Sequence, residues 1–223
     1  MRAVVLLGKL IVAAACALAQ AALAQPQPEA PPSITQSIAL PAAAPTADAS
    51  AADSGGSVQF IGTATVLIRY QGLIILTDPN FLHKGEHVHL GYGRRSQRLT
   101  NPALALSQLP PIDLVILSHL HEDHFDQLVQ RQLNRDTLIV TTREAGANLQ
   151  RMGFRRPVSL STWEALEVRK ANARLVITSM PGRHGPPVLA ALLPRVMGTM
   201  LDFSARRPAP PPHVYQRGHP GIR

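Results

Sequence analysis

Apolar and polar positions fall into short runs separated by turn residues, and the period of the runs changes along the chain. Val58-Gln59-Phe60-Ile61 meets residues 64–70 at Gly62-Thr63, and residues 73–76 follow across Gln71-Gly72. These runs are predicted as three strands of a β-meander. Thr77-Asp78-Pro79-Asn80 stops the third strand, because proline has no N–H to give a sheet ladder. Residues 113–117 turn uniformly apolar after Asp113, the pattern of a strand covered on both faces. Helical spacing then appears over residues 125–133 and 144–152, with a short strand at 138–140 between them. Strand patterns close the chain at 158–160, 165–168, 174–179 and 196–203. Strands first, then strand–helix alternation, predicts an α/β (α+β) fold in which sheets are faced by helices. Residues 81–111 read as one long polar loop, and Trp163, alone between short strands, as a residue packed between sheets.

The flanks have a different character. Residues 1–24 open with Met1-Arg2, carry an apolar run over 10–18 and end in Ala22-Leu23-Ala24, the form of a secretory signal peptide. Its apolar run is shorter than the roughly 20 residues a membrane-spanning helix needs. The protein is therefore expected to be secreted or periplasmic. Of the 32 residues in 25–56, 15 are Pro or Ala and none is aromatic, which predicts a disordered linker. Only Ile34, Ile38 and Leu40 offer side chains there that could dock on the domain. The folded domain is placed at 57–203. Residues 204–223, with five prolines, four arginines and no acid, read as an irregular tail.

Composition narrows the chemistry. The formal charge of +8 falls to +6 without Arg2 and Lys9, which suits an anionic small-molecule or lipid-like substrate. Arginines gather in the tail rather than in an aromatic-interleaved patch, so no nucleic-acid partner is expected. The one cysteine, Cys16, lies in the leader and excludes a disulfide scaffold or a cysteine-ligated metal. Any metal must be held by imidazole and carboxylate.

Those groups are concentrated in Ser118-His119-Leu120-His121-Glu122-Asp123-His124, directly after the buried strand. His119 and His121, two apart at a strand end, can point the same way, while Asp123 and His124 sit on the turn toward the next helix. Four candidate ligands within six residues suit Zn2+, with Mn2+ or Fe2+ as alternatives. A second group, His83, His87 and His89, shares its loop with Lys84, Arg94, Arg95 and several glycines. His87 and His89 are candidates for contacting an anionic substrate, or else they belong to a solvated surface loop.

The His-x-His-x-Asp-His pattern after an apolar strand resembles the metallo-β-lactamase superfamily. The stretches Phe60-Ile61-Gly62-Thr63-Ala64-Thr65-Val66-Leu67-Ile68 and Leu76-Thr77-Asp78-Pro79 are similar to the opening of its branch of ascorbate-6-phosphate lactonases and N-acylphosphatidylethanolamine phospholipases D. Met180-Pro181-Gly182-Arg183-His184-Gly185-Pro186 is similar to the element that carries a later ligand. The resemblance implies an αββα sandwich and a metal-dependent hydrolase of esters, lactones or phosphodiesters. It implies that His119, His121 and His184 bind one metal and that Asp123 and His124 bind a second. Metal-bound hydroxide would then be the nucleophile, with Asp123 steering its proton. Asp78 would accept the far N–H of a ligand imidazole, or else close a local turn. The Gly-Asp and the last histidine that the family carries beyond the position of His184 have no counterpart, since Asp202, His213 and His219 fall in no matching pattern. The expectation is a C-terminally truncated family member with an incomplete second half, either active or an inactive metal-binding fragment.

Overall fold

The computed structural model describes residues 33–42, 56–90, 93–183 and 193–205, all within the compact unit Pro32–Arg223. The leader at 1–24, most of the expected linker, His184, and the tail from residue 206 lie outside these residues.

The meander forms as its pattern requires: β2 (Ser57–Gly62), β3 (Thr65–Tyr70) and β4 (Leu73–Thr77) pair antiparallel in succession. β1 (Ile34–Ala39) precedes them in the chain. Three parallel strands extend the meander's sheet beyond β4: β7 (Leu114–Ile116), β8 (Leu138–Thr141) and β9 (Pro157–Ser159). Helices α1 (Gln127–Gln132) and α2 (Arg143–Arg151) make the crossovers that parallel pairing demands. The second sheet has the order β1-β10-β11-β12, built from β10 (Ala165–Lys170), β11 (Ala173–Pro181) and β12 (Met197–Ala205).

Alternation along the strands builds two cores. Leu114, Ile116, Leu138 and Val140 face Leu166, Val168, Leu175 and Ile177, so one apolar layer lies between the sheets. The intervening residues Val115, Leu117 and Ile139 face the other way, onto Phe125, Val129, Leu149 and Phe154 of the helical layer. At roughly 1.5–3 kcal/mol per fully buried aliphatic or aromatic side chain, these layers dominate the fold's stability. Helix α2 packs so closely on β9 that a Cβ on Gly146 would overlap Ser159 Oγ. Lys170 Nζ ties the sheets at one edge, bonded to both Asp113 carboxylate oxygens at 2.8 and 2.7 Å and to the Gly72 carbonyl at 2.7 Å. No helix among the described residues is long and apolar enough to cross a membrane.

The α/β sandwich expected from the sequence is present, with four local corrections. Residues 34–39, placed in a disordered linker, form β1 and run parallel to β10. Ile38 packs against the inter-sheet core and Leu40 is buried in it, while Ile34 stays exposed. Two apolar side chains plus a free β10 edge order the segment despite its composition. Secondly, the region read as a single loop carries a β-ribbon, β5 (His87–His89) with β6 (Arg95–Gln97), and a 3-10 turn at Leu106–Gln108. Trp163 is not between the sheets: it stands exposed on a tight turn with φ +68°, its N–H given to the Ser179 carbonyl. Finally, β12 runs through Ser204 and Ala205, two residues beyond the boundary set for the tail, because it stays in register with β11 to the Ala173–Ala205 pair.

Candidate metal centre

The end of β7 delivers the histidine-rich segment to one edge of the large sheet. Leu117 N–H still bonds the Val140 carbonyl of β8. The chain then leaves the sheet, and His121 O closes a tight turn by accepting from the N–H groups of His124 at 3.0 Å and Phe125 at 2.8 Å. This turn folds His124 back over His119, with ring centroids 4.2 Å apart.

Ligand atoms of His119, Asp123 and His124 lie within 4.8 Å of one another, a group able to hold a metal ion. His119 is buried and the other two are half-buried. His121 stands beside this trio, its ring 4.9 Å from that of His119 and edge-on to it. The donor set, two imidazoles and a carboxylate, is that of zinc and related divalent ions. Asp123 supplies a second sign of fit. Its Oδ1 is buried with no hydrogen-bond partner among the described residues, a cost that a cation would remove. Its Oδ2 lies 3.7 Å from His124 Nε2.

Asp78 faces the metal loop with both carboxylate oxygens, and its side chain closes no local turn of the kind the sequence left open. Its Oδ1 accepts the Ser118 backbone N–H at 2.8 Å, and its Oδ2 faces His124 Nδ1 at 3.4 Å. The residue is held with φ +36°, in the left-handed region. Its own N–H bonds the Ile116 carbonyl, and its carbonyl accepts from Thr65 Oγ1 at 2.8 Å. For His124, burial alone would lower the pKa, but the hydrogen bond and charge of Asp78, aided by Asp123, raise it above the ordinary value of 6.5.

The two candidate substrate histidines separate. His87 is exposed on the ribbon. His89 is latched to the metal loop: Glu122 Oε2 accepts its backbone N–H at 2.7 Å and meets its ring Nδ1 at 2.9 Å. Asn80 Nδ2 adds a bond to the Glu122 carbonyl at 3.1 Å.

Three supporting groups were not singled out in the sequence. Ser118 Oγ lies 3.0 Å from His119 Nδ1 and 3.3 Å from His124 Nδ1. Glu122 was passed over as the variable position of the pattern. Asp126 caps α1 through Val129 N–H at 2.8 Å and takes the N–H groups of Phe81 and Leu82 on its other oxygen, the latter at 3.0 Å. Burial raises the Asp126 pKa against the opposing pull of these backbone bonds. An aspartate directly before a helical pattern is an N-cap signal that was available. No local pattern announces the bonds to residues 81 and 82, which span more than 40 positions.

Comparisons with known proteins place the chain in a family. Residues 57–191, more than half of the chain, match the family described as "Beta-lactamase superfamily domain". The mitochondrial N-acyl-phosphatidylethanolamine-hydrolyzing phospholipase D of Saccharomyces cerevisiae is 31% identical over 117 residues, covering 52% of this chain and 24% of the yeast protein. N-acyl-phosphatidylethanolamine-hydrolyzing phospholipase D 1 of Caenorhabditis elegans is 32% identical over 151 residues, covering 62% of this chain and 40% of the nematode protein. The isothiocyanate hydrolase from Delia radicum gut bacteria shares the fold with a TM-score of 0.51 at 26% identity, over 66% of this chain and 57% of that one. The chain thus spans less than two thirds of the length of each of these relatives.

Proposed function

Because the chain belongs to the metallo-β-lactamase superfamily, we propose that the cluster beside β7 is the centre of a metal-dependent hydrolase acting on an ester, lactone or phosphodiester. The observation that carries this reading is the convergence of His119, Asp123 and His124 ligand atoms within 4.8 Å. Names of similar proteins favour the phosphodiester within this set, since two of them hydrolyse N-acyl-phosphatidylethanolamine.

In this reading His119, His121 and His184 hold one divalent ion, Zn2+ before Mn2+ or Fe2+, and Asp123 and His124 hold a second. A divalent ion there supplies Lewis acidity and a bound water with its pKa lowered to near 7. The protein's own residues do the rest. Asp78 holds the His124 ring by its Nδ1, which leaves Nε2 on the side of Asp123. Asp123 is the group placed to take a proton from the attacking water. The ribbon, latched by His89 to Glu122, brings Arg95 opposite His89 in register, a basic face for an anionic substrate. The leader at 1–24 directs the protein out of the cytoplasm.

The test is hydrolysis of bis(p-nitrophenyl) phosphate, p-nitrophenyl acetate and a simple lactone by the purified chain loaded with Zn2+. Turnover that is lost with a chelator and in H119A supports the proposal. Metal binding without turnover on any of the three contradicts the hydrolase reading and leaves an inert metal-binding domain.

A further inference from the structure

Ser118 directly precedes the first histidine, and its hydroxyl touches two imidazoles at once, His119 Nδ1 at 3.0 Å and His124 Nδ1 at 3.3 Å. A serine hydroxyl offers two acceptor lone pairs and one proton, so it can accept from both rings, or donate to one and accept from the other. The surroundings decide for His124. Its Nδ1 also faces Asp78 Oδ2 at 3.4 Å, and a carboxylate there requires Nδ1 to carry hydrogen. For His119, Nδ1 meets Ser118 Oγ, and Nε2 is buried. If Ser118 donated to His119, the proton of that ring would sit on Nε2 and block it as a ligand.

We propose that Ser118 is a positioning residue that accepts Nδ1–H from both His119 and His124, and so fixes both rings in the tautomer that presents an unprotonated Nε2 as the donor atom for a metal. The role rests on the metal-centre reading and adds to it a single side chain that sets two ligands together. Ser118 is held for this task from both sides of its backbone. Its N–H is given to Asp78 Oδ1 at 2.8 Å, and its carbonyl accepts from Met197 N–H at 3.1 Å, where the second sheet meets the loop. One residue thereby ties Asp78, both imidazoles and β12. Removing the hydroxyl leaves these backbone bonds in place, so S118A is a test of the hydroxyl alone.

The experiment has two readouts on the full chain. The first is the tautomer of each ring in metal-free protein, from long-range 15N–1H correlations at a pH where the imidazoles are neutral. Wild type is expected to show Nδ1–H at both His119 and His124. An Nε2–H signature at His119 would overturn the proposal. The second is Zn2+ affinity by competition with a chromophoric chelator. S118A should bind about 10–100-fold more weakly, the effect of losing an outer hydrogen bond to a ligand, and S118T, which keeps the hydroxyl, should recover most of it. Wild-type binding with S118A unchanged overturns the Ser118 role alone. Absence of Zn2+ binding by folded wild type overturns the metal-centre reading itself. Should S118A fail to fold by circular dichroism, S118T and the wild-type tautomers still decide.

Discussion

Asp78 and Ser118, 40 residues apart, are joined by a 2.8 Å hydrogen bond from the Ser118 N–H to Asp78 Oδ1, while the other oxygen of the same carboxylate faces His124 Nδ1 at 3.4 Å. The turn after β4 and the loop after β7 thus share one carboxylate. The parallel pairing of these two strands places their ends side by side. The aspartate's left-handed backbone is the conformation that lets it reach both.

Replacing that carboxylate separates orientation from ligation. D78A removes no proposed ligand, yet it frees the His124 ring and the Ser118 amide. Metal affinity is expected to fall about 10–100-fold, with one fewer constraint on the loop. Competition titration with a chelator reads the change; an affinity equal to wild type would show that the Asp78 carboxylate serves only the Ser118 amide.

The raised pKa of His124 has a definite sign. In metal-free protein its protonated form is favoured by folding, so this group's stabilisation is fully present below the ordinary value of 6.5 and is lost as pH rises through the raised value. Metal needs the neutral ring, so binding must release this proton and must weaken as pH falls through the raised value. Calorimetric titrations in buffers of different ionisation enthalpy count the protons. Zero release near pH 6.5 would contradict the Asp78–His124 coupling.

Asp126 links helix, loop and site without touching the ligand cluster. D126A deletes the α1 cap and leaves the N–H groups of Phe81 and Leu82, both buried residues, without their acceptor. A lost cap costs about 0.5–2 kcal/mol and each of the two orphaned buried donors about 1–3 kcal/mol, so a loss of roughly 2.5–8 kcal/mol is expected in urea unfolding. A change below about 0.5 kcal/mol, the range of an ordinary surface substitution, would contradict this account.

The ribbon latch is separable from the metal site. E122A should leave the metal content unchanged while the His89 amide, now without its acceptor, exchanges faster with deuterium. If the ribbon contributes to substrate binding, KM rises with kcat little changed, the pattern of lost uniform binding. Loss of bound metal in E122A would instead make Glu122 part of the centre.

What was legible in the sequence depended on the range of the forces involved. β7 and β8 could be read because period-two burial on both faces leaves an uninterrupted apolar run, and the histidine cluster because four ligand-type side chains fall within six residues. β1 was not legible: its order comes from a partner strand about 130 residues later, and only Ile38 and Leu40 hint at burial in a Pro/Ala-rich stretch. Trp163 was misread because a lone tryptophan between short strands suggested a core position, whereas the chain needed a turn there. Ser118 and Glu122 were overlooked since their value is geometric: one lies between two rings, the other opposite a ribbon that was itself read as loop. His184 lies outside the described residues, so its place in the expected ligand set stands as part of the proposal.

The most direct test of the central claim is metal content by elemental analysis of the purified protein after dialysis, for wild type beside H119A and H124A. Stoichiometric divalent metal in wild type that falls in both variants, with each variant folded by circular dichroism, is the result expected of a His119–Asp123–His124 centre. Wild-type protein free of metal after exposure to Zn2+, or variants that retain the full complement, would contradict it.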